Sequence, residues 1–240
     1  MSLFIFPMAG NSSRFKISGF KKEKYELSIW NINLFEASIR SFNEYFDNDN
    51  FVFVTRSDHN NVEFIKKSIL KLNIKFFDII VLKSSTLGQA STVYSGLMDL
   101  NKVLLNQQLY IFNIDTIRPF FQKPKGLRNF LEVTKLNGDN WSFAEVNSSN
   151  NVIRTTEKVR ISDLCSTGLY GFESSILFIK TYKSYIKMFE KESYIAPMYN
   201  LLIKDNINVN VSEISKDQVY FGGTPTEYRA LLNTENPFEK

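Results

Sequence analysis

Residues 3–15 constrain the fold more than any other stretch. The apolar run Leu3-Phe4-Ile5-Phe6 gives way to Pro7-Met8-Ala9-Gly10-Asn11-Ser12-Ser13-Arg14-Phe15, and Lys24 follows ten residues after Arg14. Such a run reads as a buried strand that ends in a turn of small residues. Backbone N–H groups of Ala9, Gly10, Asn11, Ser12 and Ser13 can then converge on a polyphosphate together with the cations of Arg14 and Lys24. The bland alternative is a tight turn, because Gly, Asn and Ser tolerate turn and left-handed backbone and also cap helices. The loop alone does not choose between the two.

Downstream, apolar strands alternate with helical patterns. Strands are expected at Phe4–Met8, Phe51–Val54, Asp78–Leu82 and Leu109–Ile114. Asn33 is placed to cap a helix carrying Leu34, Phe35, Ile39 and Phe42, and Val62, Ile65, Ile69, Leu70 and Leu72 fall on one helical face. A further helix is expected over Ala90–Leu104. This order predicts an α/β sheet, mixed but mostly parallel and flanked by helices, with an antiparallel extension after Trp141 that walls one side. In open α/β sheets ligands sit beyond the carboxyl ends of the strands. The loops beginning at Ala9, Ser84 and Asn113 all emerge there.

The chain of 240 residues, 43% of them hydrophobic and 15% aromatic, has enough material for one α/β core, and a single domain over 1–240 is expected. Cys165 is the one cysteine, so no internal disulfide can form, and a cytoplasmic setting without a leader is expected. No apolar run approaches the roughly 20 residues of a membrane span. The net charge of +4 is mild and dispersed, which argues against nucleic-acid binding.

Two later stretches carry chemistry. In Thr86-Leu87-Gly88-Gln89-Ala90-Ser91-Thr92, Gly88 and Ala90 let a planar base approach the backbone, and Gln89 offers a donor and an acceptor to its edge; an ordinary helix start capped by Ser85 or Thr86 is the alternative. In Tyr110-Ile111-Phe112-Asn113-Ile114-Asp115-Thr116, a carboxylate stands at the end of an apolar strand, where it needs a cation or several hydrogen bonds. Asp115 is thus a candidate Mg²⁺ ligand, with a turn or cap residue as the plain reading. Asn113 is a candidate to orient a ribose or Asp115 itself.

Ala9-Gly10-Asn11-Ser12-Ser13-Arg14, then Glu23-Lys24-Tyr25-Glu26-Leu27, resembles the start of the nucleotidylyltransferases that activate sugar phosphates and related phosphorylated metabolites. That family opens with a strand, an A-G-x-G-S/T-R loop and a P-K-x-L lysine. Ser12 stands at the second glycine, and Glu23 stands at the proline. Thr156-Glu157-Lys158 and Ser166-Thr167-Gly168-Leu169-Tyr170-Gly171-Phe172 resemble the family's V-x-E-K-P and A/S-x-G-x-Y-x-F segments, with Val159 in place of the proline. The wording of residues 7–15 also looks like a branch associated with bacterial capsule and surface polysaccharide.

The resemblance implies a single-domain, Rossmann-like nucleotide-diphospho-sugar transferase (GT-A-like) fold. Residues 1–140 would form the nucleotide-binding part, and 141–240 the acceptor-binding part and the C-terminal helix. It implies that Asp115 binds Mg²⁺ and that Glu157, Lys158, Gly168 and, more loosely, Glu192 contact the acceptor. It also implies in-line attack of an acceptor phosphate on the α-phosphorus of a nucleoside triphosphate, with Arg14 and Lys24 neutralising charge. Many relatives end in D-x-G-T-P, whereas this chain has Phe221-Gly222-Gly223-Thr224-Pro225. Either one carboxylate suffices for the metal, or Glu213 or Asp217 reaches in. Two other readings stay open: a glycosyltransferase of similar topology, disfavoured because Asp115-Thr116-Ile117 lacks a second acid, and a non-catalytic nucleotide-binding regulator. His59, the one histidine, reads as a helix-start residue away from these loops, and a homo-oligomer is left open.

Overall fold

The structure, a computed structural model, describes residues 1–188 and 192–239. In chain order its elements are β1 (Ser2–Pro7), α1 (Ser13–Ile17), β2 (Ser28–Ile29), β3 (Ile32–Asn33), α2 (Leu34–Arg40), β4 (Asn50–Arg56), α3 (Val62–Lys71) and β5 (Phe76–Leu82). There follow α4 (Gln89–Met98), β6 (Gln108–Phe112), β7 (Thr116–Ile117), β8 (Phe130–Lys135), β9 (Ser142–Val146), β10 (Val152–Glu157) and β11 (Leu164–Phe172). The chain closes with α5 (Ser175–Tyr185), α6 (Tyr199–Lys204), β12 (Asn210–Glu213), β13 (Tyr220–Phe221) and α7 (Pro225–Leu231).

The central sheet runs β10-β9-β11-β6-β1-β4-β5, with β8 paired to β11 and β12 paired to β8. Strands β6, β1, β4 and β5 are mutually parallel, while β11 lies antiparallel to β6, β8 and β9. The expected architecture is therefore present. The parallel strands carry apolar residues on both faces because helices cover both. In β1, Leu3 and Ile5 pack with Val52, Val54 and the α4 residues Ala90, Val93 and Leu97. Phe4 and Phe6 face the other layer, with Phe51, Phe53, the α2 residues Phe35 and Ile39, and Ile65 and Ile69 of α3. There Phe4 stacks between Phe51 and Tyr110, with ring centroids 5.1 and 4.9 Å away.

Local chemistry sets the element ends. Asn33 caps α2 by accepting from the Glu36 N–H at 2.7 Å, as expected. The helix expected over Ala90–Leu104 stops at Met98, because Asn101 caps a separate 3₁₀ turn, Lys102–Asn106. Leu70 is solvent-facing, although its spacing put it on the buried face of α3. The expected Leu109–Ile114 strand ends at Phe112. Asn113 N–H donates to Gly168 O, and Thr116 N–H returns to Asn113 O, so Asp115 sits in a tight turn.

Strand β8 is not evident in the sequence, because Glu132 and Thr134 interrupt its apolar run, yet both are buried. Glu132 explains this. Arg118 Nε reaches both its oxygens at 3.2 and 3.1 Å, Thr167 Oγ1 donates to it at 3.0 Å, and Arg118 Nη1 donates to Gln218 O at 3.4 Å. Burial pushes the Glu132 carboxyl above its usual range, and Arg118 and Thr167 oppose that shift. Loss of one partner from a buried pair leaves an uncompensated charge. Arg118→Ala is expected to lower unfolding free energy by about 3–5 kcal/mol, read from urea denaturation; a loss below about 1 kcal/mol would show that the pair does not hold β8 to the β7 and β13 region.

Candidate active site

The carboxyl ends of β1, β4, β5 and β6 open into one cavity of about 820 Å³. Every site residue expected from sequence lines it except Ala90, which is fully buried beneath it in the α4 layer. The loop over 8–14 forms one wall, residues 85–92 a second, and Asn113 to Thr116 the floor. The antiparallel strands supply the far wall through Trp141, Ser142, Glu157, Lys158 and Gly168.

Lys24 and Asp115 meet in this cavity. Lys24 Nζ forms an ion pair with Asp115 Oδ2, although 91 residues separate them in the chain. The Asp115 backbone is fixed from the other side, since Gly222 N–H donates to Asp115 O at 2.8 Å. Among the described residues no group of three or more His, Cys, Asp or Glu side chains is placed to hold a metal by itself, so Asp115 offers Mg²⁺ one carboxylate and leaves the other positions to phosphate oxygens and water. Phe221 enters the cavity and packs on Trp141, with centroids 4.9 Å apart. Glu213 and Asp217 do not line the cavity, and Glu213 instead pairs with Lys135 at 3.2 Å. Glu227 lines the cavity on the same side as Gly223. Its Oε2 and Asp115 Oδ2 stand 3.5 and 3.0 Å from the point where a Cβ on Gly223 would lie. Thr224-Pro225-Thr226-Glu227 is a capping-box sequence, and Glu227 Oε2 accepts from the Thr224 N–H at 2.8 Å.

The loop itself is anchored at three points. Arg56, at the end of β4, donates to Asn11 Oδ1 at 2.7 Å and to Ala9 O at 3.3 Å, while Asp58 holds its other nitrogens. Ser12 Oγ donates to Glu23 Oε2 at 2.6 Å. Phe15 and Phe20 pack on Tyr228 of α7. The Arg14 side chain is exposed and has no hydrogen-bond or ion-pair partner among the described residues. Sequence reasoning missed Arg56, although its place at a strand's carboxyl end was the available signal.

Residues 88 and 168 need glycine. Gly88 has φ +128°, and a Cβ there would lie 2.7 Å from Ser193 O. Gly168 has φ +91°, and a Cβ would overlap the Asn113 amide at 2.4 Å. That amide is engaged further: Gln89 Nε2 donates to Asn113 Oδ1. The Gln89 side chain, expected to meet a base, thus bridges to the β6 turn instead. Thr86 bonds to Thr92 and Gly88 O rather than capping α4. His59 is also closer to the site than expected. Its Nδ1 lies 3.3 Å from Tyr25 Oη, beside Lys24, and burial lowers its pKa against the opposing field of Glu23.

At the far wall Ser142 Oγ donates to Glu157, and Lys158 Nζ donates to Tyr194 Oη at 2.6 Å. Tyr194 Oη in turn donates to Glu192. The Tyr194 bond is the main cause that raises the Lys158 pKa, while burial raises that of Glu157.

Among solved structures, the nucleoside-diphosphate-sugar pyrophosphorylase from Vibrio cholerae RC9 matches 96% of this chain and 100% of its own at 40% identity, with a TM-score of 0.91. This chain belongs to the nucleoside-diphosphate-sugar pyrophosphorylase family, which is made up of nucleotidyltransferases. The inositol-1-phosphate CTP transferase from T. maritima matches 97% of the chain and 95% of its own at 14% identity and a TM-score of 0.76. A UDP-glucose pyrophosphorylase complexed with UDP-glucose covers 97% of both chains at 16% identity and a TM-score of 0.75. At those identities the likeness is one of fold. No family model and no curated protein matches the chain.

Glu157 yields a pH prediction. Its folded pKa is raised, so the folded state favours the neutral acid, and the stability this gives is present at low pH and is lost as pH rises through the raised pKa. Glu157→Gln keeps an acceptor for Ser142 and removes the buried charge. The variant is expected to melt above the parent at neutral pH and with the parent at pH 4, by paired thermal melts. A lower melting temperature at neutral pH would show that the ionised carboxylate stabilises the fold.

Proposed function

We propose that the protein transfers a nucleotidyl group from a nucleoside triphosphate to a phosphorylated sugar or related metabolite, releases pyrophosphate, and does so with Mg²⁺. The observation that carries this reading is the Lys24–Asp115 pair, which lines the same cavity as the 9–14 loop and Glu157–Lys158. In this reading residues 1–140 hold the nucleotide, and 141–240 complete the acceptor side within a single domain. An oxygen of the acceptor phosphate forms a bond to the α-phosphorus, the bond from that phosphorus to the α,β-bridging oxygen breaks, and pyrophosphate leaves with that oxygen and the electron pair. Lys24 faces the α-phosphate and the incoming phosphate, and the unpartnered Arg14 takes the leaving β,γ-phosphates.

Asp115 would hold the Mg²⁺, which when bound neutralises phosphate charge. The chain needs no general base, because a phosphate monoester is already an anion. Backbone groups of Ala9 to Ser13 receive the triphosphate, and Gly88 lets the base come close. Gln89 acts through Asn113 on the ribose side, while Glu157, Lys158 and Glu192 bind the acceptor beside Gly168. Trp141 and Phe221 give that acceptor an apolar wall. The product fits capsular or other surface polysaccharide synthesis in the cytoplasm, as the wording of residues 7–15 suggested.

Pyrophosphate release from CTP, UTP, ATP and GTP, each with a mixed pool of phosphorylated sugars, polyols and amino-alcohols, tests the reading. Release that requires an acceptor supports it, and absence of release with every pair contradicts it. Lys24→Ala is expected to lower turnover by about two to three orders of magnitude, the scale of one lost electrostatic stabiliser; near-normal turnover would remove Lys24 from the site. Mg²⁺ should bind the free protein weakly and bind firmly once triphosphate is present, because it favours few carboxylates with phosphate oxygens and water. Calorimetry on Asp115→Asn should show that triphosphate-dependent binding is lost, whereas Glu213→Gln and Asp217→Asn should bind as the parent does. Equal loss in either of these two would mean that the wrong carboxylate has been chosen.

A further inference from the structure

Two departures from the family's loop pattern, Ser12 for glycine and Glu23 for proline, lie eleven residues apart and touch each other. Ser12 has φ 48° and ψ 32°, a left-handed conformation that glycine adopts freely and serine does not. Glu23 has φ −63° and ψ 147°, close to the φ near −65° that a proline ring imposes. The backbone of the pattern is thus kept at both positions by residues that do not enforce it. Their side chains supply the enforcement. Ser12 Oγ donates to Glu23 Oε2 at 2.6 Å, the Lys24 N–H points to Ser12 Oγ at 3.5 Å, and Lys16 Nζ pairs with Glu23 Oε1 at 3.0 Å. Glu26 closes the turn by accepting from the Glu23 N–H at 3.2 Å. Glu23 is 8% exposed, so its carboxylate depends on these partners.

We propose that Ser12 and Glu23 are a matched pair whose hydrogen bond positions Lys24 against Asp115, standing in for a glycine's freedom in the left-handed region and a proline's restriction of φ. They are positioning residues, since neither needs to touch the reacting atoms. The proposal rests on the reading of Lys24 as a transfer residue, and its test separates the two. A misplacement of about 1 Å at a reacting centre can cost about a hundredfold in rate. Residues in contact also show coupled effects, whereas independent sites multiply.

The experiment compares Ser12→Gly, Glu23→Pro and the double variant, with Glu23→Gln and Glu23→Ala as a conservative and a disruptive control. Each of Ser12→Gly, Glu23→Pro and Glu23→Ala should lower kcat about 5- to 30-fold, with KM for the triphosphate moving less than about threefold. Glu23→Gln, which still accepts from Ser12, should recover most of the loss. The double variant should retain at least about fivefold more activity than the product of the two single effects. A multiplicative double variant, a Glu23→Gln as damaged as Glu23→Ala, or a loss carried by KM would overturn the proposal. An activity-free measurement accompanies these: the ¹³C-dimethyl resonance of Lys24 in reductively methylated protein. It should move in Glu23→Ala towards its position in Asp115→Asn and stay at the parent position in Glu23→Gln. A Lys24 resonance unchanged in Glu23→Ala would overturn the pair even if the parent protein released no pyrophosphate, an outcome that would independently refute the transfer reading.

Discussion

The ion pair between Lys24 and Asp115 is the contact on which the rest of the site depends. Each charge comes from a different part of the chain, and each is partly withdrawn from water, with side-chain exposures of 26% and 12%. Partly buried charges persist only with partners, so the pair fixes two loops to each other. In the proposed function a magnesium–triphosphate complex would offer both residues a replacement, a metal for the carboxylate and phosphate oxygens for the ammonium, so that neither charge would be left unpaired when the pair divides.

Holding those loops still is the task of the core beneath them. The strands β6, β1, β4 and β5 end at the cavity, and their apolar residues are clamped between two helical layers. From that base the constraints run outward through few contacts. Arg56 draws the 9–11 loop to β4, Phe15 and Phe20 bind it to α7, and Gly222 fixes the Asp115 carbonyl. The C-terminal segment so helps to fix both the 9–15 loop and the turn that carries Asp115. Phe221, in the segment that resembles the family's D-x-G-T-P end, packs at a tilt on Trp141 and puts an apolar wall over the same floor.

The parallel half of the fold was legible because its strands are continuous apolar runs bounded by turn residues. That the small-residue loop, Lys24 and Asp115 would meet in one cavity was legible from the strand ends of an open α/β sheet together with the family resemblance of residues 9–27. Strand β8 was hidden, since Glu132 looks like a surface residue until Arg118, fourteen positions earlier, is seen to pair with it. Likewise the roles of Arg56, Tyr194 and Glu227 depend on contacts between distant segments, which periodicity does not encode. Gln89 shows the opposite limit: the sequence offered its amide to a base, whereas the structure shows that amide donating to Asn113, a partner only the fold reveals.

The central claim is that substrate divides the Lys24–Asp115 pair. A crystal structure with Mg²⁺ and a triphosphate whose α,β-bridging oxygen is replaced by methylene, and so cannot be transferred, tests it most directly. The account predicts the metal on Asp115, Lys24 Nζ on an α-phosphate oxygen, and the β,γ-phosphates against Arg14. A bound triphosphate with the Lys24–Asp115 ion pair still intact would contradict it.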